Sequence, residues 1–154
     1  MYLSGYVINM SYITDSNKNA VIKNNCIGLS VLSVSTIQGG QILKKGTHNT
    51  VYKPLPIRVT DDGEKFYDLY PGAYQIVFEQ GLTKLPKDCE ATLVENDFCH
   101  STGAIVLPHT YFEFDSKSNI TTTLIVPDHT KVSLELGCTI ADLFVKYEKT
   151  MEEM

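Results

Sequence analysis

The chain has 154 residues, 43% apolar and 20% charged, the balance of a globular domain and not of a disordered chain. Thirteen basic against 18 acidic residues leave a net charge of −5 with no basic stripe, which argues against a nucleic-acid duplex as partner. Arg58 is the single arginine, so the forked grip on phosphate that guanidinium groups provide is scarce.

The N-terminus has no basic region leading into an apolar run, so no signal peptide is expected. No stretch approaches the roughly 18 apolar residues of a membrane span. Cys26, Cys89, Cys99 and Cys138 form no C-x-x-C pair and are expected as reduced, small hydrophobes in a cytoplasmic setting.

In chain order, residues 3–14 predict a short helix with Ser4 as its N-cap, a strand being the alternative. Residues 15–25 are polar and predict a loop. The β-branched run at 29–34 predicts a strand buried on both faces. Gly39-Gly40 predicts a turn, and 44–64 a loop-rich connection with one short strand at 57–59. Further strands are expected over 73–79, 89–94, 104–107, 121–126, 131–136 and 140–147, separated by Pro, Gly and Asp turns. The charged tail at 148–154 is expected to fray. The prediction is one domain over 1–154, with its core at about 25–147. Short strands at spacings near ten residues make it all-β, a sandwich or barrel.

The punctuation of the second half resembles a known family. Tyr70-Pro71-Gly72-Ala73-Tyr74, Leu85-Pro86-Lys87-Asp88-Cys89-Glu90-Ala91 and Leu136-Gly137-Cys138-Thr139-Ile140-Ala141-Asp142-Leu143-Phe144-Val145 resemble, in order, three segments of the dUTPase/dCTP-deaminase superfamily. The Asn25–Val31 stretch and the opening Met1–Ile13 resemble that family's first long strand and the deaminases' N-terminal helix. The resemblance implies a distorted β-barrel or jelly roll that assembles as a homotrimer. Closure and assembly would also cover the edges that many short strands expose.

The resemblance implies a site as well, and the sequence departs from it. Where the family has an acid after its first long strand, this chain has Gly28. Where the family grips phosphates with Arg-Ser-Ser, this chain has Asn96-Asp97-Phe98. Asp115, in Tyr111-Phe112-Glu113-Phe114-Asp115-Ser116-Lys117-Ser118-Asn119, matches the family's water-activating Asp on a hairpin, although Asp-Ser-Lys-Ser-Asn is also good turn chemistry. The deaminases' Glu on the following strand is replaced by Leu124-Ile125, and an isoleucine cannot act as a base. Nucleotide contacts, if made, fall to Asn96, Asp97, His109, Ser116 and Lys117. Cys99-His100 with His109 fits no tetrahedral zinc pattern, so no metal is expected beyond the magnesium an active enzyme would need.

Two functional readings follow. In the first, the chain is a catalytically silent dUTPase-like trimer, a structural or interaction module or a weak nucleotide binder. Its partners are itself and another protein in a larger assembly. The richness in Asn, Lys and Ile is compatible with a phage origin and so with a place in a virion. In the second, it is an active dUTP pyrophosphatase or dCTP deaminase with a rebuilt site, using Asp115 as base and Lys84, Lys87 or Lys117 toward the phosphates of dUTP or dCTP.

Overall fold

Long β-branched runs make the spine of the molecule, and short strands hang from it. The computed structural model describes residues 1–14, 20–37, 52–83, 85–112 and 119–147. The elements are α1 (Gly5–Ser11), β1 (Ile13–Thr14), β2 (Val21–Ile22), β3 (Ile27–Ile37), β4 (Tyr52–Pro54), β5 (Arg58–Val59), β6 (Lys65–Leu69), β7 (Gly72–Leu82), β8 (Cys89–Glu95), α2 (Asp97–Thr102), β9 (Ile105–Val106), β10 (His109–Phe112), β11 (Asn119–Val126), β12 (Val132–Glu135) and β13 (Thr139–Tyr147).

The larger sheet runs β10-β8-β13-β3-β7-β11-β9, with β1 added on β7 and β2 and β4 on β3. A second sheet runs β12-β6-β5. Every pairing is antiparallel. The all-β expectation holds: the larger sheet curls into a half-barrel. Register shifts at Val31/Ser33, Asn119/Thr121 and Thr139/Ala141 interrupt three ladders, and such bulges bend a strand and raise its twist. The concave side is filled by Leu29, Val34, Ile76, Phe78, Leu93, Leu124 and Leu143, each at most 1% exposed. Burying a side chain of this size contributes roughly 1.5–3 kcal/mol.

β3 changes partner midway. Its first half pairs with β13, and its second half pairs with β7. Where β7 diverges, a side chain takes over the ladder. The Ser30 N–H donates to Gln80 Oε1 at 2.9 Å, Gln80 Nε2 donates to Ser30 Oγ at 2.8 Å, and Ser30 Oγ donates to Glu79 Oε2 at 2.6 Å. Ser30 and Gln80 are both fully buried. The amide thus satisfies a main-chain donor that would otherwise be stranded in the core.

The Ser4 cap is present: its side chain accepts from the Val7 N–H at 3.2 Å. Other expectations need correction. The 15–25 loop contains β2, while 15–19 lie outside the described residues, as do the Gly39-Gly40 turn and the 148–154 tail. Double-sided burial of 29–34 ends at Val31, because the bulge turns Leu32 out to 44% exposure. β6 was not expected, although Tyr67 and Leu69 alternate inward with period two. Nor was α2, which Asn96 starts. Residues 113–118 of the expected hairpin across 111–119 lie outside the described residues, and only its flanks are seen. β10 pairs with β8, whereas β11 pairs with β7 and β9, so the two flanks belong to different parts of the curl.

Candidate functional site

The expected phosphate segment is committed to architecture. Asn96 caps α2, its Oδ1 accepting from the Phe98 N–H at 2.9 Å. Its Nδ2 donates to the Thr139 carbonyl at 3.2 Å and ties the helix to β13. Both ends of the amide are therefore occupied. Asp97 is exposed in the first helical turn, where a carboxylate is favoured by the helix dipole.

A cation does approach this corner. Lys23 Nζ donates to both carboxylate oxygens of Asp142, at 2.9 and 3.0 Å. That hydrogen bond is the main cause of a raised Lys23 pKa. Burial opposes it, and the charges of Asp142 and Asp97 add to it. Asp142 is only 8% exposed. It sits opposite Gly28 in the ladder, and a Cβ at Gly28 would lie 2.6 Å from Thr139 Cγ2 and 3.5 Å from Asp142 Oδ1. The acid missing from position 28 thus has no room: β13 supplies a carboxylate to the same ground, already neutralised. Sequence reasoning passed over Asp142. Its signal was an acid in an otherwise apolar strand, which is costly unless paired.

A cleft of about 390 Å³ opens beside β11, walled by Tyr52, Gln75, His109, Tyr111 and the threonines at 121–123. Leu107 and Pro108 form its lip, held by a hydrogen bond from Thr122 Oγ1 to the Leu107 carbonyl at 3.1 Å. The His109 ring meets the Tyr111 ring edge-on, with centroids 4.5 Å apart. Burial raises the Tyr111 pKa, keeping its hydroxyl protonated. Among the described residues, no lysine, arginine, aspartate or glutamate lines it. Of the expected nucleotide contacts, His109 is here, and Asn96 and Asp97 are not. Asp115, Ser116 and Lys117 lie outside the described residues, as does Lys84. Ile125 is half-buried on the same strand as the threonines, opposite Ala73 and Ile105.

Arg58 lines a different cleft, of about 440 Å³, with Leu55, Pro56, Tyr70 and Tyr74. It is bound bidentately to Asp68, Nε to Oδ2 at 2.8 Å and Nη2 to Oδ1 at 3.1 Å, and lies over the Phe66 ring. The Arg58 hydrogen bond, with help from Ser133, brings the Asp68 pKa down to about 2. All four cysteines are free thiols, and burial pushes Cys99 up to about 11. Among the described residues, no three His, Cys, Asp or Glu side chains gather as a metal site. Nor, among them, is any helix long and apolar enough to cross a membrane.

No family model and no curated protein matches the sequence. The fold is similar to a solved structure, the 2'-deoxycytidine 5'-triphosphate deaminase from Agrobacterium tumefaciens, with TM-score 0.66 and 9% identity over 99% of this chain and 49% of that one. This chain shares its fold with that enzyme. It spans about half the enzyme's length, and at this identity the likeness is one of fold.

Proposed function

We propose that the chain is a homotrimeric dUTPase/dCTP-deaminase-like protein whose catalytic positions have been rebuilt for structure. In this reading it serves as a structural or interaction module, in a larger or viral assembly, or as a weak nucleotide binder. One observation carries the proposal. At the place of the phosphate-gripping arginine and serines, Asn96 spends its whole amide on capping α2 and holding β13, with Asp97 beside it.

The electrostatics point the same way. A carboxylate about 4 Å from a phosphate costs roughly 1–4 kcal/mol, according to how much water screens the pair. Each missing charge-assisted hydrogen bond forgoes about 1.5–3 kcal/mol. Together these weaken triphosphate binding by about a thousandfold or more. Arg58 is engaged by Asp68 in another cleft, and Lys23 by Asp142. The described lining of the His109 cleft, without Lys, Arg, Asp or Glu, suits an uncharged ring better than a polyphosphate.

The fold likeness to a deaminase favours the second reading, an active enzyme working through Asp115 with magnesium. Incubation with dUTP or dCTP and magnesium at about pH 7.5 separates the two. The expected result is no release of pyrophosphate or ammonia. Hydrolysis of dUTP that Asp115→Asn abolishes would establish the rebuilt enzyme and sink the silent one.

A further inference from the structure

The cleft at Arg58 lies where the two sheets meet, and it shares no described residue with the cleft at His109. Its volume of about 440 Å³ falls within the roughly 300–1,000 Å³ of small-ligand sites. The stretch Leu55-Pro56-Ile57, between β4 and β5, supplies apolar lining, and Tyr70 and Tyr74 supply two rings. Both parts are fixed in place. The Leu55 N–H donates to the Val34 carbonyl at 3.0 Å. The Tyr74 hydroxyl donates to the Tyr70 carbonyl at 2.7 Å and accepts from the Tyr70 N–H at 2.9 Å. That pair pins the Tyr70-Pro71-Gly72 turn while the Tyr70 ring stays 58% exposed. A preset shape lowers the cost of ordering on binding.

Arg58 is held by more than one partner. Asp68 takes its Nε and Nη2, Ser133 Oγ donates to Asp68 Oδ1 at 2.9 Å, and the guanidinium lies 5.2 Å from the Phe66 ring centroid. A guanidinium has five N–H groups. No described residue accepts from Nη1. Lys131 Nζ stands 5.2 Å from the centroid of the Tyr70 ring. Arg58 and Lys131 against Asp68 leave one net positive charge here, on a chain of net −5. Asp61, Asp62 and Glu64 fall past Val59 in the β5–β6 turn and do not line the cleft. Residues 38–51, outside the described residues, hold Lys44, Lys45 and His48 and no acid, so they cannot reverse the sign. The undescribed 15–19 and 113–118 adjoin strand ends paired with Gly81, about 23 Å along β7 from Tyr74.

An apolar hollow beside a buttressed cation matches one chemistry. We propose that this cleft binds a small monocarboxylate with an aromatic body. The carboxylate accepts from Arg58 Nη1, with the Lys131 charge nearby, and the ring packs between Tyr70 and Leu55-Pro56-Ile57. Aromatic rings pair edge-on or offset, which a pinned and exposed Tyr70 allows. Charge-assisted hydrogen bonds to a guanidinium are the strong ones, and a fixed guanidinium loses little freedom in making one more. Asp68 sets the limit. A second negative charge on the ligand faces it and is repelled, so dianions and polyphosphates are refused. The site needs one copy of the chain and stands whether or not the chain assembles.

Phenylacetate at millimolar concentration is the probe, with amide nitrogen–proton correlation spectra of the full chain at neutral pH as the readout. Saturable shifts are expected at Ile57, Tyr70 and the Arg58 side-chain Nε–H, with none at His109 or Tyr111. Phenylacetamide keeps the ring and loses the charge, whereas acetate keeps the charge and loses the ring. Each should bind about tenfold or more weakly than phenylacetate. Arg58→Met keeps the stem and removes the fork, and should cost a similar factor with an unchanged far-ultraviolet circular dichroism spectrum. Should Arg58→Met fail to fold, Ile57→Glu places a like charge at a half-exposed position of the lining and should also abolish the shifts. Absence of saturable shifts in the wild type overturns the site. So do equal affinities for phenylacetate and phenylacetamide, or shifts centred on His109. Undiminished binding by folded Arg58→Met removes the arginine from its role and overturns the proposal.

Discussion

Replacing Gln80 by leucine tests the account of how β3 changes partner. Leucine keeps the apolar bulk and removes only the carboxamide. The Ser30 N–H, fully buried, then loses its 2.9 Å acceptor, while the Ser30 hydroxyl keeps Glu79 as its own acceptor. One orphaned buried donor costs about 1–3 kcal/mol. For a chain of this size each kcal/mol lowers Tm by roughly 2–4 °C, so Gln80→Leu should melt about 2–12 °C below wild type. Both proteins must be compared at one concentration, because the proposed assembly would make Tm depend on it. Hydrogen exchange gives the local readout: the Ser30 amide should be protected in the wild type and exchange faster in the variant. Gln80→Glu should be worse at neutral pH, since it places a second carboxylate at one serine hydroxyl, and should recover as the pH falls and the new acid protonates. If Gln80→Leu melts with wild type and the Ser30 amide stays protected, the side chain does not close the ladder and the reasoning fails.

Asp142→Ala leaves Lys23 half-exposed and able to reach water, so the loss should be about 1–3 kcal/mol by urea melt, short of the roughly 3–5 of a fully buried pair. The double change Asp142→Leu, Lys23→Met should recover most of it. Asp68, held at about pKa 2 against its ordinary 3.8, contributes stability that is complete above pH 4 and lost as pH falls toward 2. An acid titration should therefore be flatter for Arg58→Met than for wild type over that window. Asn96→Arg with Asp97→Ser should bind dUTP more tightly by calorimetry, yet cost about 1 kcal/mol or more of stability through the lost cap. Tighter binding without any destabilisation would show that Asn96 is not the anchor described above.

Period-two alternation marked the later strands because each has one face on the core and one toward water. In β11, for instance, residues 120, 122, 124 and 126 are buried and their neighbours are not. β6 alternates as clearly, yet its five residues lie between two turns, just past the loop expected over 44–64, and no strand was expected there. Asn96-Asp97 was read only against a family motif, although an Asn followed by an acid is also how a helix starts. The flanks of 111–119 are each strand-like, but propensity does not say which neighbour a strand will choose.

The site divides along the same line. That position 28 lacks an acid, that 96–97 lack a cation and that 125 is apolar are facts of the sequence alone, as are the single arginine and the uncharged opening segment. The fold class also belongs with them, because burial on one face writes itself into the order of residues. The structure alone brought together Lys23 with Asp142, 119 residues apart, and Ser30 with Gln80, 50 apart. It alone showed that Asp142 fills the ground beside Gly28. Sequence carries local period and composition. Which distant polar groups share a buried corner is decided only when sheet curl and register set the chain's remote parts side by side.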